Sequence, residues 1–300
     1  MKENGFKIRF ENVNLSSNSG PNSFANKLYK ELTKNGHSIN TNLEYDMALC
    51  FIEDLSNLPS KNLFQRLDGI YFNTAGDYQL QNSNILRTYN RAKGVIFQSA
   101  FNKRLTEIYF GEHKNNIIIH NGADVEFIKT VKPTQNAVLD RYKNVWCCAA
   151  SWRPHKRLKD NIRYFLEHQE KNDCLVIAGN PDYHVNEPNV FYVGNLDTEP
   201  LFSLYKRSKY FIHLAWLDHC PNVVVDARAS GCKIICSSAG GTKEIAGLEA
   251  TIVEEAQSDY KPTKLYSPPR LDFSTKVKNN FDTCYNIKNV AERYLEFITK

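Results

Sequence analysis

Short apolar runs alternate with amphipathic segments along almost the whole chain, and this alternation constrains the fold more than any other feature. A strand predicted at 6–10 is followed by a polar loop, a helix from about Ser23 to Asn35, and Gly36 before the next strand. Further buried strands are predicted at 47–52, 69–72, 94–98 and 117–119, with helices near 78–92 and 99–110. This succession predicts an α/β domain with a parallel sheet.

The second half repeats the alternation. Strands are predicted at 145–150, 174–179, 190–194, 210–213 and 233–236, with helices near 158–170 and 199–208. Three hundred residues suffice for two domains, and the polar segment 129–141 is where we expect them to divide. We therefore predict one domain over 1–130, a second over 131–275, and a last amphipathic helix within 276–300 that packs back on the first.

Composition excludes several classes of protein. The formal charge of +5 is small and scattered, which argues against nucleic acid and suits phosphorylated small molecules or a peripheral contact with an anionic membrane. No apolar run approaches the ~20 residues of a membrane span, and the amino terminus lacks a signal-peptide core, so we expect a cytoplasmic protein, peripheral at most at the inner membrane face. The eight cysteines lack zinc-site spacing and are expected to be buried thiols, with no metal bound.

The stretch from Ala215 to Ala227 carries two carboxylates, Asp218 and Asp226, separated by seven residues. Pro221 and Asn222 are typical of a helix start, and the first N–H groups of a helix attract anions such as a diphosphate. A carboxylate one turn into that helix suits sugar hydroxyls better than phosphate. The stretch therefore indicates a sugar nucleotide.

Two other loops that follow predicted strands support this interpretation. The loop 151–157 contains Arg153 and Lys156, which offer a bidentate fork and a point charge to phosphate oxygens. The loop 237–244 contains Gly240 and Gly241, which let backbone amides approach a ligand closely. Without a metal, such cations can also stabilise a departing nucleotide diphosphate.

Taken in order, these motifs resemble those of the family-4 type retaining glycosyltransferases. That family has an Arg and a Lys after the first strand of its carboxyl-terminal domain, two acidic residues separated by seven others, and a Gly-Gly-x-x-Glu loop. The corresponding motifs here are Arg153 and Lys156, Asp218 and Asp226, and 240–244, with weaker matches at 19–22, 36–37, 98–99 and 121–124. The resemblance covers most of residues 6–250. It implies the GT-B fold, which has two Rossmann-like domains with parallel sheets facing across a cleft.

The resemblance also implies an activity and a set of roles. The enzyme would move a hexose from a nucleotide diphosphate sugar to a glycan or glycolipid hydroxyl, with retention and with no cofactor beyond the donor. The residues implied in catalysis are Arg153, Lys156 and Asp218. The donor-binding residues would be Arg153 and Lys156 on the diphosphate, Asp226 on the ribose, Asp218 with the amides of Asn222 and Val223 on the sugar, and the Gly240–Gly241 loop. The acceptor-side candidates are Gly20, Pro21, Asn22, Asn73 and Asp77.

Two departures from the family pattern leave alternatives open. Both acidic positions are Asp where Glu is usual, and 71–77 lacks the His that many relatives have, so that Asn73 or Asp77 would take its place. A catalytically weakened binding protein and a nucleotide-sugar epimerase of the same fold are the rival hypotheses. An NAD-dependent reductase is disfavoured, because no Gly-x-Gly-x-x-Gly follows the first strand. Asp226 could instead complement a helix dipole, and Arg153 could be a solvated surface charge.

Overall fold

The computed structural model describes residues 5–17, 19–40, 44–56, 60 and 62–300. The elements of the first part of the chain are β1 (Lys7–Glu11), α1 (Gly20–Lys34), β2 (Ser38–Asn40), β3 (Met47–Phe51), β4 (Leu63–Leu67), α2 (Tyr78–Arg91), β5 (Gly94–Phe97), α3 (Ala100–Phe110) and β6 (Asn116–Ile118). The elements that follow are α4 (Val125–Thr130), β7 (Asn144–Ala149), α5 (Leu158–His168), β8 (Asp173–Ala178), β9 (Val190–Gly194), α6 (Thr198–Arg207), β10 (Tyr210–His213), α7 (Asn222–Ala229), β11 (Lys233–Ser237), α8 (Thr242–Ile245), β12 (Thr251–Val253), β13 (Lys276–Lys278) and α9 (Ile287–Ile298).

The chain divides into two compact units, and it crosses between them more than once. The first unit comprises residues up to Ala123, the short segment Tyr260–Thr263 and the carboxyl-terminal segment from Cys284. The second comprises Asp124–Asp259 and Lys264–Thr283. The first unit thus ends before residue 130, and the last helix belongs to it.

The first unit contains a parallel sheet of strand order β2-β1-β3-β4-β5-β6. Its core is built from apolar side chains of the strands and of α1 and α9, among them Ile8, Phe24, Leu28, Leu49, Phe64 and Ile96. The helix α9 contributes Ile287, Val290, Ala291 and Tyr294 to this core. Gly122 allows its approach, because a Cβ there would lie 2.8 Å from the Cα of Ile287.

The sequence prediction of a strand at 69–72 is wrong, since the fourth strand lies at Leu63–Leu67. Two polar residues inside β4, Gln65 and Arg66, conceal it from hydropathy although neither is exposed to solvent. Gln65 donates to the carbonyl of Ile52 (2.6 Å), and Arg66 donates to Tyr294 Oη (3.1 Å). Buried polar groups are tolerated when they are hydrogen-bonded in this way.

The second unit contains a sheet of order β13-β12-β11-β10-β7-β8-β9, parallel except for the edge strand β13. From β7 the chain proceeds outward through β8 and β9, and from β10 it proceeds the opposite way through β11 and β12. The strand order therefore reverses between β7 and β10, which is where open α/β sheets bind ligands. Apolar residues of strands and helices form the core, among them Trp146, Phe165, Leu175, Ile177, Ile212 and Ile235.

Two absences within the described residues concern membranes and metals. Within these residues, no helix is long and apolar enough to cross a membrane. In the same part of the chain, no cluster of three or more His, Cys, Asp or Glu side chains is arranged to hold a metal ion. The eight cysteines are free thiols, and all except Cys284 are buried.

Candidate functional site

Three loops that carry the predicted donor-side residues follow three neighbouring strands. The loop with Arg153 and Lys156 follows β7, the loop with Asp218 follows β10, and the Gly240–Gly241 loop follows β11. In the sheet these strands lie side by side as β11-β10-β7 and are parallel. Their carboxyl ends therefore share one edge, beside the point where the strand order reverses.

Backbone contacts fasten these loops to one another. The N–H of Trp216 donates to the carbonyl of His155 (2.7 Å), and the N–H of Gly241 donates to the carbonyl of Asp218 (2.8 Å). Gly240 has a φ of +81°, and a Cβ at this position would lie 2.6 Å from the carbonyl oxygen of Asp218. Only glycine meets both conditions without strain, so the paired glycines hold the Asp218 loop in place.

The carboxylate of Asp218 accepts hydrogen bonds from three directions. Its Oδ2 contacts the ammonium of Lys156 and lies 3.0 Å from Nε2 of His213, while its Oδ1 accepts from the N–H of His219 (3.0 Å). The side chains of Lys156 and Asp218 are 19% and 14% exposed. This ion pair, at the edge of the sheet, is thus only partly exposed to water.

Burial alone would raise the pKa of Asp218, but the ammonium of Lys156 and the ring of His213 together hold it well below its usual value. Asp218 is therefore an acceptor only, so the proton between the two side chains belongs to Nε2 of His213. Burial lowers the pKa of His213, against the opposing effect of Asp218. The ring is accordingly neutral and in the Nε2–H tautomer at physiological pH.

Two further histidines flank the carboxylate without adding charge. Burial, reinforced by the nearby Lys156, lowers the pKa of His155 to about 4, and burial lowers that of His219 to about 4. The ring of His155 stacks on Tyr266, with centroids 5.5 Å apart and planes at 17°. The positive charge of this loop at neutral pH therefore comes from its lysine and arginines.

The two arginines of the basic loop differ. Arg157 is buried, has a φ of 51°, and donates to both carboxylate oxygens of Glu255 (3.0 and 2.8 Å) and to the carbonyl of Pro269 (3.0 Å). It is a structural group. Arg153 is exposed and precedes a single 3-10 turn, Pro154–Lys156. Its guanidinium is therefore accessible to a ligand, as is the neighbouring half-buried ammonium of Lys156.

The helix α7 begins at Asn222, with Pro221 as its cap residue. The N–H groups of Val224 and Val225 donate to the carbonyl of Pro221 (3.1 and 3.4 Å). Asn222 and Val223 precede them in the same first turn of the helix. Asp226 lies one turn further along α7 and is 7% exposed. The structure thus places Asp218, Asn222, Val223 and Asp226 along one loop and helix.

The predicted acceptor-side residues lie in the first unit, where several have structural partners. Gly20, Pro21 and Asn22 form the first turn of α1, and Asn22 Oδ1 accepts from the N–H of Asn14 (2.9 Å). Asp77 caps α2 by accepting from the N–H of Leu80 (2.9 Å). Asn73 Oδ1 accepts from the N–H of Ala75 (3.1 Å). These contacts account for the residue types locally, and their proposed contact with an acceptor stays a prediction.

Sequence reasoning missed two members of the second-unit cluster. The sequence pattern predicts only a strand at His213, although the position of this residue at the carboxyl end of β10 is a signal for a site residue. No sequence motif points to Glu255, because its partner Arg157 lies 98 residues away in the sequence. The pairing of Arg157 with Glu255 therefore does not follow from local spacing, whereas His213 and Asp218 are only five residues apart.

Comparison with known proteins gives a family match and several structural neighbours. Residues 142–260 match the family model described as "Glycosyl transferases group 1". No curated protein matches the sequence. Among solved structures, HepE from Anabaena in complex with UDP and glucose superimposes with a TM-score of 0.67 at 13% identity, covering 98% of this chain and 99% of HepE.

Two other solved structures have similar architecture. AviGT4, a glycosyltransferase involved in avilamycin A biosynthesis, gives a TM-score of 0.62 at 12% identity over 98% of this chain and 97% of its own. Sucrose-phosphate synthase from Thermosynechococcus elongatus gives 0.62 at 11% identity over 83% and 86%. The fold is GT-B. The predicted fold class is therefore confirmed by both sheets and by these neighbours.

Proposed function

We propose that this protein is a retaining glycosyltransferase that transfers a hexose from a nucleotide diphosphate sugar to a hydroxyl of a glycan or glycolipid, without a metal ion. The family match supports a glycosyltransferase, since residues 142–260 include every donor-side candidate from Arg153 to Gly241. The fold supports it as well, because its solved neighbours include AviGT4, a named glycosyltransferase.

The observation that carries the proposal is the cluster of Lys156, Asp218 and the start of α7 beside the switch point of the second sheet. A diphosphate needs cations and N–H donors, and a sugar needs a carboxylate beside them. The ammonium of Lys156 has three protons. It can therefore keep its contact with Asp218 and also donate to a phosphate oxygen.

In the proposed reaction Arg153 and Lys156 bind the diphosphate and stabilise the charge that develops as the bond between the anomeric carbon and the phosphate oxygen breaks. The acceptor oxygen bonds to the anomeric carbon on the same face, and its proton passes to the leaving phosphate. Asp218, with the amides of Asn222 and Val223, orients the sugar. Asp226 accepts hydrogen bonds from the ribose hydroxyls.

We propose a UDP-hexose as the first donor to test, because HepE was crystallised with UDP-glucose. A thermal-shift screen of UDP, GDP, ADP and their hexose derivatives is expected to give a stabilising diphosphate, since a ligand that binds only the folded state raises the melting temperature. Replacing both Arg153 and Lys156 by Ala should remove most of that shift. An unchanged shift in the double variant would refute the assignment of the diphosphate site.

A sugar-nucleotide binding protein without turnover is the second candidate. Its support is that the short Asp218 side chain already accepts three hydrogen bonds within the protein. The transferase should release nucleotide diphosphate faster when acceptor hydroxyls are supplied, with a new glycoside of unchanged anomeric configuration detected by NMR. A binding protein would show no acceleration, and an epimerase would alter the sugar without any acceptor.

A further inference from the structure

His213 is a buried, uncharged ring whose contacts point to a role in the same site. It ends β10, is 3% exposed, and its Nε2 lies 3.0 Å from Oδ2 of Asp218. The same oxygen contacts the ammonium of Lys156. One carboxylate oxygen thus joins a fixed ring on one side to a half-buried cation on the other.

We propose that His213 is a positioning residue that holds the Asp218 carboxylate and, through it, places the Lys156 ammonium for the diphosphate of the donor. This inference rests on the proposed function. His213 lies behind Asp218 in the protein interior and need not touch the substrate.

The physical reason is the freedom of the two side chains that His213 restrains. A lysine ammonium is a point charge on a flexible four-carbon stem, so it needs a fixed partner to stay in one place. Asp218 is that partner, but it follows Leu217, whose φ is 56°, in a loop beyond the end of the strand. The strand β10 holds the ring of His213 in place, and the hydrogen bond from its Nε2–H holds the carboxylate of Asp218 in place.

Two amide substitutions separate this role from a role in packing. The Nε2 of glutamine can occupy the place of the histidine Nε2, whereas the shorter asparagine cannot reach Asp218. We therefore expect His213→Gln to keep UDP affinity within about threefold, and His213→Asn to lower it by about tenfold, the size of one charge-assisted hydrogen bond. His168→Asn is the matched control, because His168 is a half-buried ring in the same unit, stacked on Tyr164.

A double-mutant cycle tests whether His213 acts through Lys156. In the Lys156→Ala background, His213→Asn should change UDP affinity by less than about twofold, because the group that it positions is absent. Isothermal titration with UDP, or with whichever diphosphate the thermal screen identifies, gives the four affinities. Multiplicative effects of the two changes, or an unchanged affinity of His213→Asn, would overturn the inference while leaving the proposed function standing.

A measurement on the unaltered protein covers the case in which His213→Asn does not fold. The ¹⁵N chemical shifts of the histidine ring, assigned by the loss of one ring signal in His213→Gln, should show the neutral Nε2–H tautomer. The Nδ1–H tautomer would overturn the inference, because His213 could then not donate to Asp218. If the native protein binds no nucleotide diphosphate at all, the proposed function fails, and this inference fails with it.

Discussion

Each unit carries a carboxylate beside a cation at the carboxyl ends of its parallel strands, and the two clusters differ in what surrounds them. In the second unit, Asp218 and Lys156 are partly exposed to water, and the loop of Lys156 contains further cations. In the first unit, Asp68 follows β4 and contacts the guanidinium of Arg66, which is completely buried. The two carboxylates are equally exposed, at 14%, so the difference lies in the cation: the accessible cluster of Asp218 has a half-buried ammonium, and the interior cluster of Asp68 has a completely buried guanidinium.

The partners of Arg66 explain why the first cluster is structural. Its Nη2 donates to Asn121 Oδ1 (2.7 Å), its Nε donates to Tyr294 of α9 (3.1 Å), and its guanidinium lies 4.2 Å from the ring centroid of Phe24. The Asp68 oxygen that it contacts also accepts from Gln98. These contacts connect β4 and the segments that follow β5 and β6 with α1 and α9, so the cluster serves to hold the first unit together.

The pKa shifts of the two carboxylates have opposite signs. Burial raises the pKa of Asp68 and Arg66 only partly offsets it, whereas Lys156 and His213 outweigh burial at Asp218 and lower its pKa. A group whose pKa is higher in the folded state than in the unfolded state adds stability that is lost as the pH rises through the folded-state pKa. A group whose pKa is lower in the folded state adds stability that is lost as the pH falls through the folded-state pKa. The ionised carboxylate is therefore disfavoured in the interior cluster and favoured in the accessible one.

The largest expected effect comes from breaking the interior pair. Arg66→Met removes a completely buried guanidinium from its partners Asp68, Asn121 and Tyr294 and should lower the free energy of unfolding by about 3–5 kcal/mol. Urea unfolding followed by far-UV circular dichroism measures this loss. The control is Arg104→Met on the exposed face of α3, which should stay within about 0.5 kcal/mol of the native protein. A loss at Arg66 no larger than that of the control would show that the interior cluster is not structural.

The adjacent cations Lys156 and Arg157 repeat the contrast within one loop. Arg157→Met should lower the free energy of unfolding by about 3–5 kcal/mol, because Glu255 is left buried and unpaired. Lys156→Met should affect stability less and lower UDP affinity by about 10- to 100-fold, as expected for a lost charge-assisted contact. Tryptophan fluorescence follows the unfolding, since Trp146, Trp152 and Trp216 all lie in the second unit. The assignment of roles would be reversed if Lys156→Met were the more destabilising change.

The two clusters also differ in how much of them can be predicted from the sequence. The alternation of strands and helices predicts two parallel sheets, and the order of the loops places Arg153, Lys156, Asp218 and Gly240 after strands of the second. The alternation does not reveal β4, because Arg66 looks like a surface residue until its buried partners Tyr294 and Asn121 are known. Pairings between residues far apart in the chain, such as Arg157 with Glu255, are set by tertiary structure and leave no local pattern.

The buried histidines around Asp218 lead us to expect that stability depends on pH. The folded-state pKa values of His155 and His219 are about 4, below the ordinary 6.5, so the unfolded state binds more protons between these values. Stability of the second unit is therefore complete above about pH 6.5 and falls toward pH 4, by at most about 1.4 kcal/mol per pH unit for each histidine. The lowered pKa of Asp218 acts in the same direction only below about 3.8.

Replacing His219 measures its contribution to the loss of stability at low pH. The variant His219→Asn should show a flatter loss of stability between pH 6.5 and 4 than the native protein, as measured by urea midpoints from tryptophan fluorescence. His184→Asn is the control, because His184 is an exposed histidine of the same unit. Parallel pH profiles for the native protein and His219→Asn would exclude His219 as a source of acid sensitivity.

The smallest expected effect concerns Asp226. This residue is buried, as Arg66 of the interior cluster is, but it lies on α7, next to the accessible cluster. If its carboxylate binds the ribose, Asp226→Asn should lower UDP affinity by about 5- to 10-fold and abolish most of the preference for UDP over 2′-deoxy-UDP. Titration of both nucleotides with both proteins gives the four affinities. An Asp226 that only complements the helix dipole would instead leave the preference between the two nucleotides unchanged, because the substitution would then act equally on both. That result would assign a structural role to Asp226, and other groups of the second unit would then have to bind the ribose.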